Sequence, residues 1–108
     1  MEKLVQLAKI LSDSNRMKII ALLYREKELC VCEICDTLQL SQPLVSRHLK
    51  QMREAALVET KQEGKWIIYS LHENKTVACL LDTLKEDIDK LPKIILLHFP
   101  KNHPVLSK

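Results

Sequence analysis

The chain has 108 residues, 46% of them hydrophobic, with a single glycine and a formal net charge of +3. That length suits one domain, near the size where a single core suffices and oligomerisation often lends support. One glycine leaves no room for long linker stretches or a glycine-rich phosphate cradle. The modest positive charge is compatible with nucleic acid without establishing it. Position says more: Arg47, Lys50, Arg53, Lys61 and Lys65 gather in one stretch.

Met1–Ser12 lacks the unbroken apolar run and small-residue cleavage site of a signal peptide, and no segment approaches a membrane span. The expected compartment is therefore the cytosol, with no membrane partner. Thiols stay reduced there, so a tight cysteine group reads as metal-binding or catalytic rather than as a disulfide frame.

Leu4, Leu7, Ala8 and Leu11 give residues 2–11 the spacing of a short amphipathic helix. Asp13 or Ser14 can cap a second helix running to about Arg25, with Ile19, Ile20, Leu22 and Leu23 on its apolar side. A third, short helix is expected from Val31 to Leu38. Gln39-Leu40 then turns into a fourth, N-capped by Ser41, with Pro43 in its first turn where a missing N–H costs little. Two helices joined by so short a turn make a helix-turn-helix. In the fourth helix Val45, Leu49, Met52 and Ala56 repeat at core-facing spacing, whereas Ser46, Arg47, Lys50 and Glu54 fall on the opposite side.

Leu57–Gln62 and Lys65–Leu71 read as two strands around Glu63-Gly64, with the chain's one glycine at the turn that needs positive φ. The spacing predicts a last helix over 74–90, with Val77, Leu80, Leu81, Leu84 and Ile88 apolar and Cys79 a packing residue among the leucines. That stripe, with the first helix, is expected to form a homodimer interface. The fold class is thus mainly α with a β-hairpin wing, a homodimeric winged helix-turn-helix in the order α-α-α-α-β-β-α. It occupies residues 1–98, and 99–108, with Pro100 and Pro104, is a flexible tail.

Three of the four cysteines, Cys30, Cys32 and Cys35, fall within six positions. One of them would pass as a small buried hydrophobe; three together point to ligation. Thiolates are soft ligands that select thiophilic ions over hard ones. Cys32 and Cys35 share a helical face, but Cys30 lies about 200° from Cys32 at about 3.6 residues per turn. Either Cys30 sits in a non-helical lead-in, or ligand binding unwinds the first turn. The helix N-terminus should lower the thiol pKa, with Glu28 and Glu33 opposing.

For DNA, Ser41, Gln42 and Ser46 offer hydrogen bonds at the leading end of the fourth helix. Arg47 could read guanine bidentately or hold a phosphate. His48, at the edge of the apolar face, is a structural residue or a phosphate contact. Lys61, Gln62 and Lys65 of the hairpin complete the expected DNA surface with Pro43 and Lys50.

Residues 28–72 resemble the ArsR/SmtB family of bacterial metal-sensing repressors, in its arsenical-responsive branch. The resemblance is carried by Glu28-Leu-Cys-Val-Cys-Glu-Ile-Cys35, Ser41-Gln-Pro-Leu-Val-Ser-Arg-His-Leu49, Arg53-Glu-Ala-Ala-Leu57 and Gly64-Lys-Trp-Ile-Ile-Tyr-Ser-Leu71. It continues weakly through Leu11–Ile19. The resemblance implies a fourth helix in the major groove of double-stranded operator DNA and a wing against the backbone or minor groove. It makes Cys30 and Cys32 the core ligand pair and Cys35 the third ligand of an As(III) or Sb(III) effector. Three thiolates suit a three-coordinate metalloid, whereas structural zinc takes four ligands. Cadmium- and lead-sensing relatives add N-terminal cysteines absent before Cys30. Nickel, cobalt and zinc sensors carry histidines along the last helix, and residues 74–90 hold none; His72 stands alone, and His98 and His103 read as solvated. The expectation is a repressor released by metalloid, with no catalytic cofactor. The rivals are a Cd- or Pb-responsive or redox-responsive repressor of the same fold and, from another class, a thiol enzyme or metallochaperone.

Overall fold

The computed structural model describes residues 1–94. The expected tail at 99–108, the boundary after residue 98, and His98 and His103 lie outside the described residues. Helix α1 (Glu2–Leu11) buries only Ile10 and half-buries Leu7 and Leu11, so its apolar stripe leans on the next helix with one edge. Helix α2 (Ser14–Glu26) starts at Asp13, whose carboxylate accepts the Arg16 backbone N–H at 3.0 Å, as an N-cap should. Ile19, Ile20, Leu22 and Leu23 are at most 1% exposed, which makes α2 the central helix of the core.

Between α2 and helix α3 (Val31–Leu38) lies a strand, β1 (Glu28–Cys30), that the sequence reading did not anticipate. It pairs antiparallel with β3 (Trp66–Leu71), which pairs in turn with β2 (Val58–Glu63), giving the sheet order β1-β3-β2. Three residues carry too little periodicity to signal a strand; β1 exists because β3 offers it a free edge. The hairpin turn is Gly64-Lys65, one residue later than expected, and Gly64 sits at φ +61.

Helix α4 (Gln42–Glu54) follows α3 through Gln39, itself left-handed at φ 56, and Ser41, whose hydroxyl caps the Leu44 N–H. Val45, Leu49 and Met52 are completely buried, as expected. Ala56 corrects the fourth member of that row: α4 ends at Glu54, and Ala56 is exposed in the following turn at φ 61.

The stretch expected as one helix over 74–90 is two, α5 (Lys75–Thr83) and α6 (Lys85–Asp89), broken at Leu84. The break lets Val77, Leu81 and Ile88 all reach the core. Arg25 fixes the second piece by donating to the carbonyls of Ile88, Leu91 and Pro92, a basic side chain closing a helix C-terminus. Tyr24 ties α2 to α5 by donating to Asp82, and that bond raises its pKa above the usual tyrosine value. Cys79 is not the packing residue expected: it is exposed, because the core takes its neighbours Val77 and Leu81 instead. Leu80 is also 37% exposed. No helix among the described residues is long and apolar enough to cross a membrane. The architecture is a winged helix-turn-helix, with one strand and one helix break more than the sequence suggested.

Candidate functional site

Burial along α4 separates two faces. Gln42, Pro43, Ser46, Arg47 and Lys50 are exposed, as is the capping Ser41, while Val45, Leu49 and Met52 anchor the helix beneath them. The polar edge of the helix is therefore presented by its own core contacts. His48, read as a structural residue or a phosphate contact, is only 6% exposed. Its Nδ1 lies 3.4 Å from the Arg16 guanidinium and its Nε2 3.9 Å from the Asp13 carboxylate.

Arg16 was not singled out in the sequence. Its Nε donates to the Ile10 carbonyl at 2.9 Å, Nη2 to the Lys9 carbonyl at 3.2 Å, and Nη1 to Gln51 Oε1 at 2.9 Å. One guanidinium thus closes the C-terminus of α1 and holds the exposed side of α4. No local motif announces such a link across thirty-five positions; only the spread of five N–H donors makes arginine suited to it.

The wing residues are exposed but already engaged. Lys61 Nζ sits 2.7 Å from Glu28 and 3.1 Å from Glu63, and these carboxylates raise its pKa. Gln62 donates to the Gly64 carbonyl at 3.1 Å, and Lys65 Nζ lies 5.2 Å from the centroid of the Trp66 ring. A phosphate at Lys61 must compete with two acidic partners.

The cysteines occupy three different environments. Cys30 is the N-cap of α3, extended at φ −89 and ψ 166, so it sits in the non-helical lead-in, one of the two alternatives the spacing left open. The cap is a reciprocal box: Cys30 Sγ faces the Glu33 backbone N–H, and Glu33 Oε1 accepts the Cys30 N–H at 3.1 Å. The pattern Cys30-Val-Cys-Glu33 carries that box once cysteine is admitted as a cap. Glu33 is entirely buried. Cys30 is 3% exposed and packs with Ile68 and Trp66 of β3. Cys32 is exposed and Cys35 half-buried.

Burial pushes the Cys30 thiol up, with the Glu33 charge adding and the Glu33 amide opposing; burial likewise raises Cys35. The direction is opposite to the expected lowering by the helix N-terminus, because burial is the largest cause at both thiols. Nor are the three sulfurs assembled. Among the described residues no three His, Cys, Asp or Glu side chains are grouped to hold a metal ion. The donors fit a soft ion in kind, and Cys32 and Cys35 fit in spacing. Cys30 packs on the side of Ile68 and Trp66.

Comparison with known proteins bears on the whole constellation. The description "Bacterial regulatory protein, arsR family" matches residues 13–60. The chain is similar to an arsenic resistance transcriptional regulator of Pseudomonas putida, 48% identical over 64 residues, 59% of this chain and 50% of that protein. The matched stretch thus spans about half the length of that relative. It is also similar to an arsenical resistance operon repressor of Staphylococcus xylosus, 33% identical over 82% of this chain and 79% of that protein. Among solved structures, reduced HlyU from Vibrio cholerae superposes with a TM-score of 0.70 at 32% identity, covering 79% of this chain and 87% of that one.

Proposed function

The chain belongs to the arsR family of bacterial regulatory proteins, and from that premise we propose that it is a cytoplasmic transcriptional repressor released from its operator by trivalent arsenic or antimony. The observation that carries this reading is adjacency. The strand and helix that hold Cys30, Cys32 and Cys35 are packed against both parts of the DNA surface, α4 through the helix-turn-helix and the wing through the β1–β3 pairing. The similarity to arsenic resistance regulators supports the choice of effector.

In this reading Ser41, Gln42, Ser46, Arg47 and Lys50 meet base edges and phosphates in the major groove, and Lys61, Gln62 and Lys65 bring the wing to the backbone. Pro43 shapes the first turn of α4, and His48 works from within by holding the helix in place. Two copies joined through α1 and α5–α6 present two reading heads to half-sites about one helical turn, or a multiple, apart. Leu4 at 58%, Val5 at 47% and Leu80 at 37% exposure supply an apolar surface for that contact.

Arsenous acid and three S–H groups exchange three As–O bonds for three As–S bonds and release three waters, with no net proton. A divalent cation must instead displace protons. Coupling between effector and DNA is typically about 1–3 kcal/mol and is reciprocal, so operator DNA weakens metalloid binding by the same factor.

The test is fluorescence anisotropy of a fragment of the gene's own promoter at fixed salt, with and without arsenite, Cd²⁺ or Zn²⁺ under reducing conditions. Release by arsenite, lost in the Cys30→Ser/Cys32→Ser double variant, is the expected result. Release by Cd²⁺ alone keeps the repressor and overturns the metalloid. Absence of specific DNA binding overturns the reading altogether.

A further inference from the structure

The register of the wing sheet places Cys30 opposite Ile68, and Ile68 opposite Lys61. Residues directly opposite across antiparallel strands share a face, so these three form one continuous row from the cysteine segment to the wing. Leu29, Tyr69 and Leu71, offset by one, face the main core; Cys30, Ile68 and Trp66 form a separate cluster on the other side of the sheet. Cys30 is 3% and Ile68 1% exposed. At the end of the row Lys61 is clamped by Glu28, the first residue of β1, and by Glu63 near the hairpin tip. The segment that carries Cys30 therefore holds the wing lysine twice, through backbone pairing with β3 and through the Glu28 carboxylate.

We propose that the row Cys30–Ile68–Lys61 carries effector binding to the wing, with Ile68 and Trp66 as positioning residues and Lys61 as the output. This rests on the effector reading above. In this proposal the Cys30 sulfur turns from the Ile68–Trp66 cluster to bind one metalloid together with Cys32 and Cys35. The cluster then loses a member, the Cys30↔Ile68 pairing loosens, and Glu28 no longer holds Lys61 in register. The wing loses its placement on the DNA backbone. A route through α3 to α4 alone moves the recognition helix and leaves the wing cluster intact, so the two routes give different signals.

Trp66 is the chain's one tryptophan and reports the cluster directly. Arsenite is titrated into the full chain in a phosphine reductant while Trp66 emission is followed, with bound arsenite counted independently by loss of titratable thiols. A saturable change in emission, absent in Cys30→Ser, is expected. In parallel, operator affinity with and without arsenite is measured for Ile68→Val. A coupling factor in the usual range of about 5–150 should fall toward one, with arsenite affinity in the absence of DNA retained. Arsenite that binds and releases the operator with Trp66 emission unchanged, and with full coupling in Ile68→Val, overturns the row while leaving the effector reading intact.

A metalloid-free arm covers the case in which arsenite does not bind and the effector reading itself fails. Hydrogen exchange is compared for the wild type and Cys30→Asp, whose carboxylate cannot stay in the cluster. Loss of protection at the Ile68 and Ser70 amides, with Ile20 and Leu22 of α2 unaffected, supports the row; unchanged wing protection overturns it. Should Cys30→Asp fail to fold, Cys30→Ser is used in its place and read against the same amides.

Discussion

Single residues here do work that their type alone does not announce. Asp13 caps α2, and the backbone N–H of Arg16 is the main cause holding its carboxyl below the usual range, with the charges of Arg16 and His48 adding. A carboxyl depressed in the folded chain stabilises it above its unfolded pKa, and that contribution disappears as pH falls through the folded value. Asp13→Asn should therefore be less stable than wild type to urea at neutral pH, and the difference should shrink as the solution is acidified below the ordinary aspartate range. Midpoints measured across that pH series check it, and a gap that stays constant defeats it. Ser41 was legible as a cap, and Asp13 as one of two candidates with Ser14, because a polar side chain before an apolar helical stripe has few other uses. Cys30 was not legible as a cap. Its role depends on Glu33 being buried beside it, which the sequence does not state.

Among the elements, α4 was readable nearly to its last residue, because its apolar positions repeat over three turns and the core enforces them. The wing strands were readable to within one residue, since the one glycine must take the left-handed position. Strand β1 and the break at Leu84 were not. Each is decided by a partner far along the chain, β3 for the strand and Arg25 with the core for the break. The same holds for the placement of α4 on α1 through Arg16. Arg16→Lys keeps the charge but cannot reach two carbonyls, His48 and Gln51 together. We expect it to remain folded and dimeric by circular dichroism and sedimentation, to bind an isolated half-site as wild type does, and to lose affinity for the paired operator several-fold. Equal loss on half-site and full operator would instead make Arg16 merely a fold-stabilising residue.

At the scale of the molecule, Leu4, Val5 and Leu80 are the large apolar side chains exposed on α1 and α5, on two elements that the sequence already paired as an interface. A small chain that leaves such side chains in water gains by burying them against a second copy. Leu80→Glu and Leu4→Glu place a charge in that contact, so each should shift sedimentation toward the monomer and, by halving the reading heads, weaken operator binding by well over tenfold. Leu80→Ala, with less area and no charge, should be intermediate. A Leu80→Glu protein that remains dimeric would move the interface elsewhere.

By itself the sequence determined the helix-turn-helix, the hairpin, the capping of α4, the polar face of α4 and the close spacing of three cysteines. These follow from local rules: periodicity set by backbone geometry, caps set by unpaired amides, a turn set by the one residue free to adopt positive φ. Only the tertiary structure decided that Cys30 is buried against the wing, that His48 is buried, that Cys79 faces out, and that Lys61 is held by Glu28. Each of these depends on which surfaces meet, and the same side chain is ligand, cap or packing residue according to the strand that lies across from it.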